Sequence, residues 1–167
     1  MIIDKWCMMH EMRNIANECI KMHKGGETYF TELDSMIKQN ENLMINYINY
    51  IIKKEKINDV IISGEIGEVY KNLWVNNKIP FNIKLHLLPG GLRNNVEIKN
   101  TENSNKSIYN KELIFIDDSF YSGKTLNKVD EYVTKNRGLI KTAYVFYDGS
   151  LEKYDHVKSL YRYYDYH

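Results

Sequence analysis

Two adjacent carboxylates near the middle of the chain lie between an apolar run and a small, hydroxyl-containing turn. Asp117 and Asp118 follow the apolar residues 114–116, and residues 122–125 read Ser-Gly-Lys-Thr before a segment with helical character. This order predicts a strand, a loop and the N-terminus of a helix. The carboxylates at the strand's end can accept hydrogen bonds from sugar hydroxyls. The turn can bind a phosphate, because helix N-termini carry unpaired N–H groups and the positive end of the helix dipole.

The elements that must position this site alternate between helix and strand. Apolar residues at helical spacing predict one helix over residues 4–24 and another that begins at Asn42 as N-cap. Residues 28–39 are ambiguous, with a short helix starting near Thr31 as one interpretation. Short apolar runs then predict strands at 59–62, 81–88, 112–116, 142–147 and 160–166, with helices at 69–76 and 123–135.

This alternation is typical of an α/β fold with a mainly parallel sheet. We expect three layers, with helices on both faces of the sheet. Ligands of such sheets bind at the carboxyl ends of the strands, so residues 63–67 and the Asp117–Asp118 pair should meet at one edge. Residues 89–110 connect two strands without an element of their own, and they are either a mobile lid over that edge or a disordered insertion.

The composition limits the classes of protein to which the chain can belong. Of the 167 residues, 43% are hydrophobic and 27% charged, and the net charge of +1 argues against a nucleic-acid partner or an anionic membrane surface. No apolar run reaches the roughly 20 residues that span a bilayer, and the N-terminus lacks the pattern of a signal peptide. The length of the chain predicts a single domain. Cys7 and Cys19 are too few for a disulfide scaffold and lack metal-site spacing, so we expect the reducing cytoplasm.

Other motifs that handle phosphate fail at particular positions. A P-loop has a glycine five residues before its Gly-Lys-Thr glycine, where this chain has Asp118, whose carboxylate would face the phosphates. A response-regulator receiver needs a phospho-accepting aspartate two strands later and then a lysine, and too few residues follow Asp118 for that architecture. The pattern at residues 147–150 is like that of an aspartate phosphatase, but Phe146 occupies the position of the nucleophile.

Residues 114–125 resemble the signature of the type I phosphoribosyltransferases. They contain its aliphatic run, its two acids, a few variable residues, and a small hydroxyl residue followed by Gly, any residue and Thr. Residues 63–67 are similar to the family's pyrophosphate-binding loop, and residues 89–110 to its flexible catalytic loop. The resemblance covers about residues 58–148. It implies phosphoribosyl pyrophosphate with Mg²⁺ as ligand and a nitrogenous base as acceptor.

The resemblance also implies roles for individual residues. Asp117 and Asp118 would contact the ribose 2′- and 3′-hydroxyls, and Mg²⁺ would be held mainly by the ligand, with these two carboxylates as further candidate ligands. Arg93 is the candidate catalytic cation of the lid. The 5′-phosphate loop consists of Tyr121, Ser122, Gly123, Lys124 and Thr125. The pyrophosphate loop consists of Ser63, Gly64, Glu65, Ile66 and Gly67.

The resemblance implies a single domain with residues 58–148 as its core. Residues 1–57 would form a helical hood over the acceptor, and residues 149–167 a C-terminal tail. The expected partner is a small nucleotide or sugar phosphate, and a homodimer remains an open alternative.

Two functions remain open at this point. The motif at residues 114–125 favours an Mg²⁺-dependent transfer of ribose 5-phosphate to a base. Tyr121, however, stands where the purine-salvage branch of the family has an aspartate base, and Glu65 places an acid in the pyrophosphate loop. These departures favour the alternative, a non-catalytic module that senses or sequesters a nucleotide-like ligand in regulation or in phage–host conflict.

Overall fold

The computed structural model describes residues 5–23, 27–79, 82–86 and 108–166. Within these residues, five strands form one sheet in the order β2-β1-β3-β4-β5, and every neighbouring pair is parallel. The predicted parallel α/β sheet is therefore confirmed. The strands are β1 (Asp59–Ile62), β2 (Lys84–His86), β3 (Glu112–Phe120), β4 (Leu139–Asp148) and β5 (Val157–Arg162).

Helices cover both faces of this sheet. The described helices are α1 (Lys5–His23), α2 (Glu27–Gln39), α3 (Glu41–Glu55), α4 (Gly64–Val75) and α5 (Lys124–Lys135), and a 3-10 helix follows β5 at Tyr163–Asp165. A first hydrophobic core packs α1 to α4 against one face, which includes Ile114 and Ile116. A second core packs α5 against the other face, which includes Phe115 and Val145. The result is the predicted three-layer arrangement.

The N-terminal helices differ from the prediction at the junction of α2 and α3. The ambiguous segment is helical over Glu27–Gln39, and α3 begins at Glu41 with Asn40, not Asn42, in the N-cap position. The amide of Asn40 donates to the carbonyl oxygen of Met36 at 2.7 Å, and its backbone N–H donates to that of Ile37 at 3.0 Å. Asn40 therefore satisfies the last carbonyls of α2, which explains why one residue suffices to separate the two helices.

The helix after β1 begins five residues earlier than predicted. Residues 64–67 are the first turn of α4 and not a loop. A Cβ atom on Gly67 would lie 2.7 Å from the carbonyl oxygen of Ile62, so only glycine lets the helix start this close to the end of β1. Gly67, which the sequence analysis placed in a loop, is therefore explained by close packing between the helix and the strand.

The predicted boundaries of the second and the last strand agree with the structure only in part. β5 covers Val157–Arg162, so the predicted strand at 160–166 is correct only at its first three residues, and the 3-10 helix takes up the next three. The strand predicted at residues 81–88 is observed at Lys84–His86. Residues 82 and 83 are not part of it, and residues 81, 87 and 88 lie outside the described residues. Most of the predicted lid, including Arg93, also lies outside them.

Candidate functional site

Asp117 and Asp118 lie inside β3 and not beyond its end. The predicted strand end at residue 116 is wrong, because β3 continues to pair with β4 up to Phe120, which is opposite Asp148. Successive side chains of a strand point to opposite faces. Asp117 therefore shares a face with Phe115 and α5, whereas Asp118 belongs to the face with Ile116. Both residues are buried, at 5% and 6% exposure.

The turn between β3 and α5 lines a cleft at the start of a helix. Gly123 is the N-cap of α5, with a φ of +79° that favours glycine. The first intrahelical bond runs from the Asn127 N–H to the Gly123 carbonyl oxygen at 2.9 Å. Because Gly123 has no side chain, it cannot itself cap the first-turn N–H groups. Such a helix start attracts anions.

The cleft in front of this helix start has a volume of about 220 Å³. Its described charged residues are Asp34, Asp117 and Lys124, and hydroxyl groups come from the turn and the end of β3. The remaining lining consists of Phe115, Ser119, Phe120, Tyr121, Ser122, Gly123, Thr125, Leu126, Ala143 and Val145. The cleft thus brings Asp117 together with the whole predicted 5′-phosphate loop.

Tyr121 is held in the wall of this cleft by the loop after β4. A Cβ atom on Gly149 would lie 2.6 Å from the Tyr121 ring, so the ring lies directly on the Gly149 backbone. The ring of Tyr147 lies 6.0 Å away, and the Gly149 N–H donates to the Phe120 carbonyl oxygen at 2.9 Å. Tyr121 therefore has a packing role at the position where the purine-salvage branch of the resembled family has an aspartate.

The start of α4 lies at the same edge of the sheet as the start of α5. The Ser63 N–H donates to the carbonyl oxygen of Ile116 at 2.9 Å, which places Ser63 beside Asp117 on the neighbouring strand. Ser63 is the N-cap of α4 and makes no side-chain cap hydrogen bond. Two helices therefore start at this edge of the sheet, α4 on the Ile116 face and α5 on the Phe115 face that Asp117 shares. Of the other residues predicted here, Gly64, Glu65 and Gly67 contribute backbone to this turn, and the Ile66 side chain is buried in the first core.

A larger cavity of about 290 Å³ lies along β5 and contains several basic residues. Two of these basic residues are paired with acids of the protein. Arg162 lies 3.5 Å from Asp148 and 3.1 Å from Asp165, and Lys158 lies 3.9 Å from Glu55. The cleft at Asp117, which combines a helix start, hydroxyls and carboxylates, is therefore the candidate ligand site.

Among the described residues, no group of three or more His, Cys, Asp or Glu side chains is arranged to hold a metal ion. None of the described helices is both long enough and apolar enough to cross a bilayer.

Comparison with solved structures returned several phosphoribosyltransferases. A purine phosphoribosyltransferase from Pyrococcus horikoshii aligns at 16% identity over 72% of this chain and 81% of its own, with a TM-score of 0.48. A hypoxanthine phosphoribosyltransferase from Staphylococcus aureus aligns at 15% identity over 73% of both chains, with a TM-score of 0.45. That of Trypanosoma cruzi aligns at 14% identity over 75% and 77%, with a TM-score of 0.39.

Each of these three solved structures is named a phosphoribosyltransferase. Neither the comparison with protein-family models nor that with curated proteins gave a match.

Asp34 is the residue of the cleft that the sequence did not reveal. It lies on α2, in the segment whose structure was ambiguous, about eighty residues before the motif. Nothing in its local sequence distinguishes it from an ordinary acid on a helix surface. Only the packing of α2 against the end of β3 brings it to the cleft.

Proposed function

We propose that this protein is an Mg²⁺-dependent phosphoribosyltransferase that transfers ribose 5-phosphate from phosphoribosyl pyrophosphate to a nitrogenous base. The observation that carries the proposal is the cleft that joins Asp117 to the start of α5, with the start of α4 at the same edge of the sheet. The two helix starts would supply two anion sites, and the Asp117 carboxylate would supply an acceptor for sugar hydroxyls. A ribose with a phosphate at each end matches this order of groups.

The start of α5 would bind the 5′-phosphate. The backbone N–H groups after Gly123 are the donors, and the Ser122 and Thr125 hydroxyls and the Lys124 ammonium lie in the same cleft. Because Gly123 has no side chain, the backbone can approach a phosphate closely. Tyr121 would close one wall of this site.

The start of α4, at Ser63, would bind the pyrophosphate, with Arg93 as the lid cation. Asp117 would accept hydrogen bonds from the ribose hydroxyls and stabilise positive charge on the ribose ring in the transition state. In the transfer, a nitrogen of the base forms a bond to the anomeric carbon as the bond from that carbon to pyrophosphate breaks. The electron pair leaves with the pyrophosphate, and a base nitrogen that carries a proton gives it to the pyrophosphate or to water.

The charges of the cleft fit a requirement for a divalent cation. Asp34 and Asp117 bring two carboxylates against the single ammonium of Lys124, so a phosphate added alone would meet net negative charge. Mg²⁺ prefers one or two carboxylates together with phosphate oxygens. Bound Mg²⁺ would neutralise charge on the departing pyrophosphate. Of the Asp117–Asp118 pair, Asp117 lines the cleft and would be the candidate Mg²⁺ ligand.

A second candidate function is a module that binds a nucleotide-like ligand without transfer. It is favoured by the positions of Asp118 and Tyr121. Alternation along β3 places Asp118 on the face opposite the cleft, and Tyr121 is packed on Gly149. Such a site retains the 5′-phosphate loop. It has one carboxylate, that of Asp117, where the resemblance implies both Asp117 and Asp118.

Pyrophosphate release separates the two candidates. The protein with Mg²⁺ and phosphoribosyl pyrophosphate is assayed for release across purine, pyrimidine and pyridine bases. The transferase predicts base-dependent release with at least one base, and that release is lost when Mg²⁺ is chelated. Donor binding without release on any base would contradict transfer and support the binding module.

A further inference from the structure

The larger cavity along β5 is separate from the cleft at Asp117. Its volume is about 290 Å³, and its described lining shares no residue with that of the cleft. Helix α3 contributes Tyr47 and Tyr50 to the lining, and β4 contributes Tyr144. Tyr47 and Tyr144 are buried in the first core, with their ring centroids 6.5 Å apart. Core packing therefore fixes one wall of this cavity.

Arg162 binds two of the three acids in the described lining. Its guanidinium lies 3.1 Å from Asp165 and 3.5 Å from Asp148. It also donates to the carbonyl oxygens of Ser150 and Leu151, at 2.9 Å and 3.2 Å. Arg162 therefore joins the end of β5 to the loop after β4, and its charge is used within the protein.

Lysines outnumber acids in the rest of the lining. Lys5, Lys54, Lys153 and Lys158 line the cavity, and Asp155 is the third acid of the described lining. These lysines come from α1, α3, the loop after β4, and β5, so the fold brings them together from distant segments. Positive charges in a concave site with low-dielectric walls attract anions. This part of the cavity therefore favours a negatively charged ligand.

Glu55 lies among more positive charge than it can neutralise. Its carboxylate is 3.7 Å from the Nζ atom of Lys141 and 3.9 Å from that of Lys158, and Lys54 is close enough to interact with it electrostatically. The Glu55 side chain is only 8% exposed, so water and salt screen these charges less than at an open surface. One carboxylate therefore faces three ammonium groups.

We propose that this cavity is a second ligand site, which binds a small anion carrying two or more negative charges in phosphate or carboxylate groups. Lys54 on α3 and Lys158 on β5 would contact the anionic groups, and Tyr50 and Ser159 bring hydroxyl donors to the same lining. A cation would be repelled there. The inference goes beyond the proposed function and does not depend on it, because the two sites have different residues.

The test is calorimetric titration with tripolyphosphate and, separately, with citrate, in Mg²⁺-free buffer of low ionic strength. The wild-type protein is compared with the double variant Lys54→Gln/Lys158→Gln. One control is Lys53→Gln, which removes the exposed lysine next to Lys54 that does not line the cavity. The other control is Lys124→Gln, which removes the ammonium group of the cleft.

The wild-type protein and both controls should bind at least one of the two anions with the same Kd. The double variant should bind that anion at least about tenfold more weakly, because two charged donors are lost. Glu55→Gln should bind it more tightly, since the glutamate carboxylate then no longer competes for the lysines. Tighter binding of tripolyphosphate would identify phosphate as the preferred group, and tighter binding of citrate would identify carboxylate.

The absence of binding of both anions to the wild-type protein would overturn the inference. Equal binding by the double variant, or weaker binding by Glu55→Gln, would also overturn it. An equal loss in Lys124→Gln would place the anion in the cleft, and an equal loss in Lys53→Gln would show a general effect of surface charge. Either result would contradict a site along β5.

Discussion

Ser63 donates its backbone N–H to the carbonyl oxygen of Ile116 at 2.9 Å, and this bond links the two halves of the cleft edge. On one side of it α4 begins, and on the other Asp117 follows in β3. The bond continues the parallel pairing of β1 with β3 by one residue beyond Ile62. The helix start and the carboxylate are therefore fixed relative to each other by the sheet, which is the preorganisation that a ligand with groups at both places requires.

Replacing Gly67 with alanine should destabilise the protein. Within a helix this change ordinarily stabilises by up to about 1 kcal/mol. Here the added Cβ would lie 2.7 Å from the Ile62 carbonyl oxygen and would force α4 away from β1. We expect the free energy of unfolding, measured in urea, to fall by about 1–3 kcal/mol.

The control for Gly67 is Asn72→Ala on the exposed face of the same helix. It should leave the free energy of unfolding the same or raise it by a few tenths of a kcal/mol. A stabilising effect of Gly67→Ala would mean that α4 does not start against Ile62.

Replacing Gly123 with alanine should destabilise the start of α5 and weaken phosphate binding. The φ of +79° places an alanine in the left-handed region, at a cost of about 1–2 kcal/mol. Gly123→Asn is the matched variant, because asparagine tolerates this region better, and it should lose less stability. Urea unfolding and titration with inorganic phosphate measure the two effects, and equal stability of all three proteins would show that the turn has another conformation.

Acid should destabilise the protein partly through Glu55. Burial alone would raise the pKa of this carboxyl, but the hydrogen bond from the Tyr144 hydroxyl and the nearby Lys158, Lys141 and Lys54 outweigh it and lower the pKa. A lowered pKa means that Glu55 contributes stability above the pKa of the unfolded chain, about 4.3, and loses it as the pH falls through the folded value. Between pH 7 and pH 3, wild type should therefore lose more unfolding free energy than Glu55→Gln.

Two variants check the cause of this pH dependence. Tyr144→Phe removes the hydrogen bond, so the pKa of Glu55 should rise and the loss of stability should move to higher pH. Glu131→Gln, on the exposed face of α5, should follow wild type. Parallel pH profiles for wild type and Glu55→Gln would contradict the assigned role of Glu55.

The parts of the fold that the sequence predicted are those with a local signal. Apolar runs marked β1 and β3, and the order of acids, glycine and hydroxyl residues marked the turn at 121–125 together with the start of α5. These features depend on neighbours in the chain, so periodicity and turn chemistry suffice to find them. The resemblance to phosphoribosyltransferases came from the same local motif.

The parts that the sequence did not predict depend on packing between distant segments. β3 extends past Asp118 because β4 continues beside it as far as Asp148, which no local pattern in β3 indicates. The start of α4 at Gly64 depends on the close contact of Gly67 with Ile62. Asp34 reaches the cleft only through the packing of α2. Each of these differences changes which side chains face the ligand.

The most direct test of the central claim is the affinity of the cleft for phosphoribosyl pyrophosphate with Mg²⁺, measured by calorimetry on wild type, Asp117→Asn and the exposed control Asp130→Asn. Wild type and Asp130→Asn should bind with the same Kd, and Asp117→Asn should bind at least about tenfold more weakly, because it loses a charged acceptor for the ribose hydroxyls. The absence of binding to wild type, or equal binding by Asp117→Asn, would contradict the claim that this cleft holds the phosphoribosyl group.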